Sequence, residues 1–174
     1  IALRGAQHPK LADIEFLVGN VADGSGRLDD ARVHFERALA IRTQALGPDS
    51  PRLVAILINL GLVHLQQGRL DAAAELLQRA LAIGMASFGP THVNVAVTLL
   101  NLGTIEQRRM HYRGARDFYE RADVAFEAAF GPDSHYLGIV AHNLAEIALA
   151  RGEEALALEL ATHALERKQV GVGP

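Results

Sequence analysis

With 174 residues, 49% of them hydrophobic, the chain is long enough for one buried core and too apolar for a disordered tail. It has no cysteine, which excludes disulfides and thiolate metal sites. Its formal net charge of −3 argues against nucleic-acid binding, and no stretch of about 18 residues is apolar and uncharged enough to predict a membrane span or a membrane partner.

The clearest internal pattern is a repeat with a period of 42 residues and no insertion or deletion. An Asn-Leu-Gly triplet at 59–61 recurs at 101–103, and the fourth unit has Asn-Leu-Ala at 143–145. Such periodicity is typical of solenoids, in which stacked units bury a continuous core. The repeat is marked most plainly by a Gly-Pro pair, at Gly47-Pro48, Gly89-Pro90, Gly131-Pro132 and Gly173-Pro174.

These markers divide the chain into four units of one array that spans residues 1–174. The predicted repeats are residues 5–46, 47–88, 89–130 and 131–172. Residues 1–4 are expected to end a preceding helix and residues 173–174 to open a fifth unit, so we expect the chain to be part of a longer array.

Each unit is predicted to contain two helices, which we call helix A and helix B. In the second unit Ser50 is a good N-cap, and Pro51 suits the first helical position because its missing N–H has no intrahelical partner there. Thr91 and Ser134 are expected to begin the A helices of the third and fourth units. Helix A should run to about residue 67.

The turn between the two helices has its own marker. Gly68 can take the left-handed conformation that ends a helix, and Gly26 and Gly152 share its register, while Met110 occupies the slot in the third unit. Helix B should then run from residue 70 to the next Gly-Pro pair, which cannot continue a helix.

Small residues at fixed positions predict close packing between the two helices of a unit. Gly61 and Gly103 on helix A, and Ala73 and Ala80 on helix B, would let the helix axes approach each other.

These residues resemble the tetratricopeptide repeats, and in particular their 42-residue kinesin light chain type. The pattern of that family is filled in the second unit by Leu57, Leu60, Gly61, Ala73, Leu77 and Ala80, and in the third by Leu99, Leu102, Gly103, Ala115, Tyr119 and Ala122. The resemblance implies an all-α fold, a right-handed α-solenoid of four tandem helix-turn-helix repeats. It also implies a protein or peptide partner.

In the resembled family, helix A lines a concave groove in which peptides bind. An Asn side chain offers a donor and an acceptor, so three Asn residues in one register could pair with the backbone of an extended peptide. Alternatively, each Asn bonds to a neighbouring helix and fixes the stacking angle. The candidate binding residues are Ile58, Asn59, Leu62 and Gln66 in the second unit, Leu100, Asn101, Thr104 and Arg108 in the third, and His142, Asn143 and Glu146 in the fourth.

No catalytic residues, cofactor or metal site are predicted. No nucleophile motif or glycine-rich phosphate loop is present. His135, His142 and Glu146 lie roughly on one helical face, but a spacing of seven residues spans about 10 Å, too far for shared metal ligation.

The expected function is therefore that of a protein-interaction scaffold, a sensor or docking region of a larger bacterial signalling or regulatory protein in the cytoplasm. The alternative is a self-association module that stacks through exposed array ends, where Leu156, Leu160 and Leu165 would lie.

Overall fold

The computed structural model describes the backbone of residues 9–170 and the side chains of residues 10–165. Over that range the chain forms α-helices and no strand, so the predicted all-α class is confirmed. Residues 1–4 and 173–174, predicted to belong to flanking repeats, lie outside the described residues. The helices are α1 Pro9–Gly24, α2 Leu28–Leu46, α3 Val54–Gln66, α4 Leu70–Phe88, α5 Val93–Arg108, α6 Tyr112–Phe130, α7 His135–Ala150 and α8 Glu154–Val170, with a 3-10 turn at Pro51–Leu53 before α3.

The chain divides into two compact units, Ile1–Ser87 and Phe88–Pro174, which we call unit 1 and unit 2. In unit 1, α2 packs against both α1 and α3. In unit 2, α6 packs against α5 and α7, and α7 packs against α8. Odd-numbered helices are the predicted A helices and even-numbered helices the B helices, so each unit contains two predicted repeats. The single continuous array stays a prediction.

The A helices begin with a capping residue at one fixed register. Ser50 has the extended backbone of an N-cap, and the hydroxyl of Ser134 accepts a hydrogen bond from the backbone two residues on. The prediction for Thr91 was wrong. His92 caps α5, and its Nδ1 accepts from the Asn94 N–H at 3.1 Å. The reason is the register itself, because a step of 42 residues from Ser50 leads to His92.

The turns from helix A to helix B contain one left-handed residue each. Gly68 has a φ of 74°, as predicted, and Met110 adopts the same conformation with a φ of 61°. Met110 is the one non-glycine with positive φ in the described part of the chain. A side chain in this conformation costs roughly 1–2 kcal/mol, so the third repeat retains the turn at the expense of stability.

The glycines of the A helices allow close approach to the B helices, as predicted. A Cβ on Gly103 would lie only 2.5 Å from Cε1 of Tyr119, and one on Gly61 would lie 2.9 Å from Cγ of Leu77. Gly19 holds the same register in α1. The bulky side chain of helix B therefore packs directly onto the backbone of helix A.

Candidate functional site

Unit 2 contains an open cleft between α5, α6 and α7, with a volume of about 570 Å³. We call it the α5–α7 cleft. It forms because α5 and α7, the A helices of consecutive repeats, contact each other, and α6 packs against both. Its lining residues are Thr104, Gln107, Arg108, Tyr112, Tyr119, Asn143, Glu146, Leu149 and Ala150.

The floor of the α5–α7 cleft is the hydroxyl end of Tyr119. The ring is fully buried against Gly103, which leaves the phenol no freedom to move away. Its hydroxyl lies 2.6 Å from Oε1 of Gln107 and 3.3 Å from Oγ1 of Thr104. Burial raises the pKa of the Tyr119 phenol, and its polar contacts with Thr104 and Asn143 only partly oppose this rise. The phenol is therefore a neutral hydrogen-bond donor at neutral pH.

A chain of hydrogen bonds runs from this floor across to α7. Tyr119 donates to Oε1 of Gln107, and Nε2 of Gln107 donates to Oε2 of Glu146 at 2.9 Å. The other carboxylate oxygen, Oε1, lies 3.5 Å from Nε2 of His142. Thr104 donates its own hydroxyl proton to the carbonyl of Leu100 at 3.1 Å. The polar groups of the cleft are thus fixed by one another before any partner binds.

The three asparagines in one register have three different environments. Nδ2 of Asn59 donates to Oδ1 of Asn20 on α1 at 2.8 Å, a bond between neighbouring A helices of the kind that the stacking alternative predicts. Nδ2 of Asn101 donates to the carbonyl of Val97 in its own helix at 2.7 Å. Asn143 lines the α5–α7 cleft, where the Tyr119 hydroxyl also lies.

The structure brings four of the predicted binding residues together in the cleft, namely Thr104, Arg108, Asn143 and Glu146. Leu100 and Asn101 are half-buried and His142 is exposed, and none of the three lines it.

The predicted residues of unit 1 lie apart from this cleft. Ile58 is only 5% exposed and so belongs to the packed interior, with little surface for a partner. Leu62 is half-buried and Gln66 is exposed on α3.

Five of the nine lining residues are not among the candidate binding residues, namely Gln107, Tyr112, Tyr119, Leu149 and Ala150. No sequence pattern singled out Tyr112, whereas Tyr119 was assigned only to packing between the helices. A signal for Tyr119 does exist, because the same register holds Phe35 in the first repeat and Leu77 in the second, and only the third copy adds a hydroxyl.

Over the described residues, no three His, Asp or Glu side chains come together as a metal site would require. His135, His142 and Glu146 share α7, and only the last two are in contact. Within the same range, none of the helices combines the length and apolar character needed to cross a membrane.

The sequence matches the family model for the tetratricopeptide repeat twice, at residues 10–86 and 53–122. No curated protein matches it. Among solved structures, BtubC (BKLC) from P. vanneervenii is 25% identical, with a TM-score of 0.86 over 99% of this chain and 69% of that chain.

Two further structures share the fold at lower identity. A kinesin light chain-type protein with nearly identical TPR-like repeats from Podosopora anserina is 20% identical, with a TM-score of 0.75 over 96% of this chain and 79% of that one. The apo form of RapI is 16% identical, with a TM-score of 0.81 over 92% of this chain and 56% of its own. The chain thus belongs to the tetratricopeptide repeat family, as an all-α helical-repeat solenoid of the kinesin light chain type, an architecture of protein-interaction scaffolds.

Proposed function

We propose that the chain binds an extended segment of a partner protein and that the α5–α7 cleft receives one side chain of that segment. The observation that carries this proposal is the set of pre-positioned polar groups on the cleft floor, joined from Tyr119 through Gln107 to Glu146. Groups that are already ordered lose little further freedom on binding, so their hydrogen bonds contribute more fully to affinity.

The size and lining of the cleft support a side chain as its occupant. A volume of about 570 Å³ lies in the range of sites for small ligands, far below what a folded domain would need. Leu149 is 64% exposed beside the polar floor and offers apolar area to the same segment. The exposed Gln66 and His142 are proposed to extend the contact surface along the A helices of their own units. A docking role in bacterial cytoplasmic signalling stays a prediction.

The proposal is tested with peptides selected from a displayed library of random sequences. The dissociation constant of a selected peptide is measured by fluorescence anisotropy for the natural chain and for Asn143→Ala. Loss of one neutral hydrogen bond should weaken binding about 2- to 10-fold, or ~0.5–1.5 kcal/mol. The control Gln78→Ala, on the exposed face of α4, should leave affinity unchanged. Selection of no peptide, or equal affinity for both variants, would contradict the proposal.

A second candidate function is self-association, and an exposed apolar face on α1 favours it. Ile14 and Val21 are 49% and 58% exposed, whereas their counterparts one period later, Ile56 and Val63, are fully buried in a cluster with Phe35 of α2. In the second repeat, a B helix covers this face. The B helix of a second copy could cover it on α1 in the same way.

On α8, Leu158 and Leu165 are 71% and 62% exposed and would supply the matching B-helix face. Multi-angle light scattering over a range of concentrations tests this candidate. A mass that rises with concentration, and that returns to the monomer in Val21→Lys, would support it. Val124→Lys, on an equally exposed valine of α6, is the control. A monomeric mass at all concentrations would contradict it.

A further inference from the structure

The hydroxyl groups of Thr104 and Tyr119 in the α5–α7 cleft already donate to other groups of the protein. The proton of Thr104 goes to the Leu100 carbonyl, and the single proton of Tyr119 is taken by Gln107, the closer of its two partners. Gln107 in turn directs one of its two amide N–H groups to Glu146. The two hydroxyl protons and one amide N–H are therefore bonded before a partner arrives.

The Glu146 carboxylate can still accept hydrogen bonds from a partner. A carboxylate has about four lone-pair sites, and Glu146 uses one for Gln107 and has His142 3.5 Å from its other oxygen. Tyr119 is fully buried, so the Glu146 carboxylate is the acceptor that an incoming group would meet. The Glu146 side chain is 52% exposed, so its remaining lone pairs are open to an incoming group.

A carboxylate that is held by Gln107 and still has open lone pairs matches a group that carries several donors and a positive charge. Arginine and lysine are the side chains with that chemistry, and a planar guanidinium with five N–H donors suits several acceptors at once. The aromatic ring of Tyr112 at the cleft can add a cation–π contact, and Leu149 and Ala150 can pack against the aliphatic stem. Arg108 also lines the cleft, but it has interactions of its own within the protein.

We infer that the α5–α7 cleft recognises a basic side chain, preferentially arginine, of the bound peptide, with Glu146 as its ion-pair partner. This inference rests on the proposed function and narrows it to one class of side chain. The amide donor of Gln107 holds Glu146, and the buried Tyr119 holds Gln107. Gln107 and Tyr119 thereby act as positioning residues for the carboxylate.

The test uses the same displayed random library and reads the composition of the selected peptides. Enrichment of arginine or lysine at one position is expected. Replacing that arginine by the uncharged isostere citrulline should weaken binding about fivefold, as should Glu146→Gln, since an exposed, hydrogen-bonded ion pair contributes at that level. Glu146→Gln should have no further effect on the citrulline peptide, because the two changes remove the same contact.

Glu159→Gln, which removes an exposed carboxylate from α8 of the same unit, is the control and should leave both affinities unchanged. Peptides that bind through the cleft but show no basic preference, or that are enriched in Asp or Glu, would overturn the inference and leave the proposed function intact. If no peptide binds at all, the proposed function fails and the inference fails with it.

Discussion

The contact between Gly103 and Tyr119 makes a quantitative prediction for Gly103→Ala. The added Cβ would lie 2.5 Å and 2.6 Å from two ring carbons of Tyr119, whereas ordinary contact begins near 3.4 Å. The ring is fully buried and rigid, so it would have to move by roughly 0.9 Å or α5 and α6 would have to separate. Overpacking of this kind costs about 1–3 kcal/mol, and the better helix propensity of Ala recovers at most about 1 kcal/mol.

We therefore expect a net destabilisation of about 1–2 kcal/mol, or a fall in melting temperature of roughly 2–8 °C for a chain of this size. Circular dichroism at 222 nm during thermal unfolding measures it. The matched control is Gly24→Ala, since a Cβ at Gly24 meets no atom within 4 Å and the backbone has ordinary φ. Gly24→Ala should be neutral or slightly stabilising. A Gly103→Ala variant as stable as Gly24→Ala would refute the packing argument.

Three further predictions concern stability. Burial, helped by the nearby charge of Arg69, lowers the pKa of His64 in the folded chain below its ordinary value of 6.5. The unfolded state therefore binds more protons, and the free energy of unfolding should fall as the pH drops below about 6.5. Denaturant titrations between pH 7 and pH 5 should show this slope, and His64→Leu should flatten it. Met110→Gly should raise the melting temperature by relieving roughly 1 kcal/mol of left-handed backbone strain, and a lower value would contradict the reading of that turn. Asn59→Ala, which removes the bond to Asn20, should cost about 0.5 kcal/mol in urea unfolding, and no loss would argue against a stacking role for that pair.

The fold could be predicted because the repeat does not vary in length. One exact period fixes the helices, their turns and the small residues between them, and the bounds of α4, Leu70–Phe88, agree with the prediction from the Gly-Pro markers. The one capping error arose because Thr91 was aligned with Ser50, although the residue 42 positions after Ser50 is His92.

The fourth repeat shows how the period also encodes packing. Its counterparts to Gly103 and Tyr119 are Ala145 and Ala161. Where the helix A residue gains a methyl group, the bulky helix B residue is replaced by Ala, so no large side chain at that position crowds the added Cβ. Tyr119→Ala combined with Gly103→Ala would recreate this pairing.

Less of the candidate site than of the fold could be predicted from the sequence. Identical register suggested identical roles for Asn59, Asn101 and Asn143, but their hydrogen bonds depend on neighbours outside the pattern, such as Asn20 on α1. The cleft depends on Tyr119 reaching from helix B between two A helices, which no single-helix pattern reveals.

The most direct test of the account is chemical-shift mapping of the 15N-labelled chain during titration with a selected peptide. The account predicts that the largest changes fall on α5 and α7, at Thr104, Gln107, Asn143 and Glu146, because these residues line the α5–α7 cleft. Residues on the exposed face of α4, including Gln78, should not change. Changes concentrated on α1 or α8, with α5 and α7 unaffected, would place binding elsewhere and contradict the central claim.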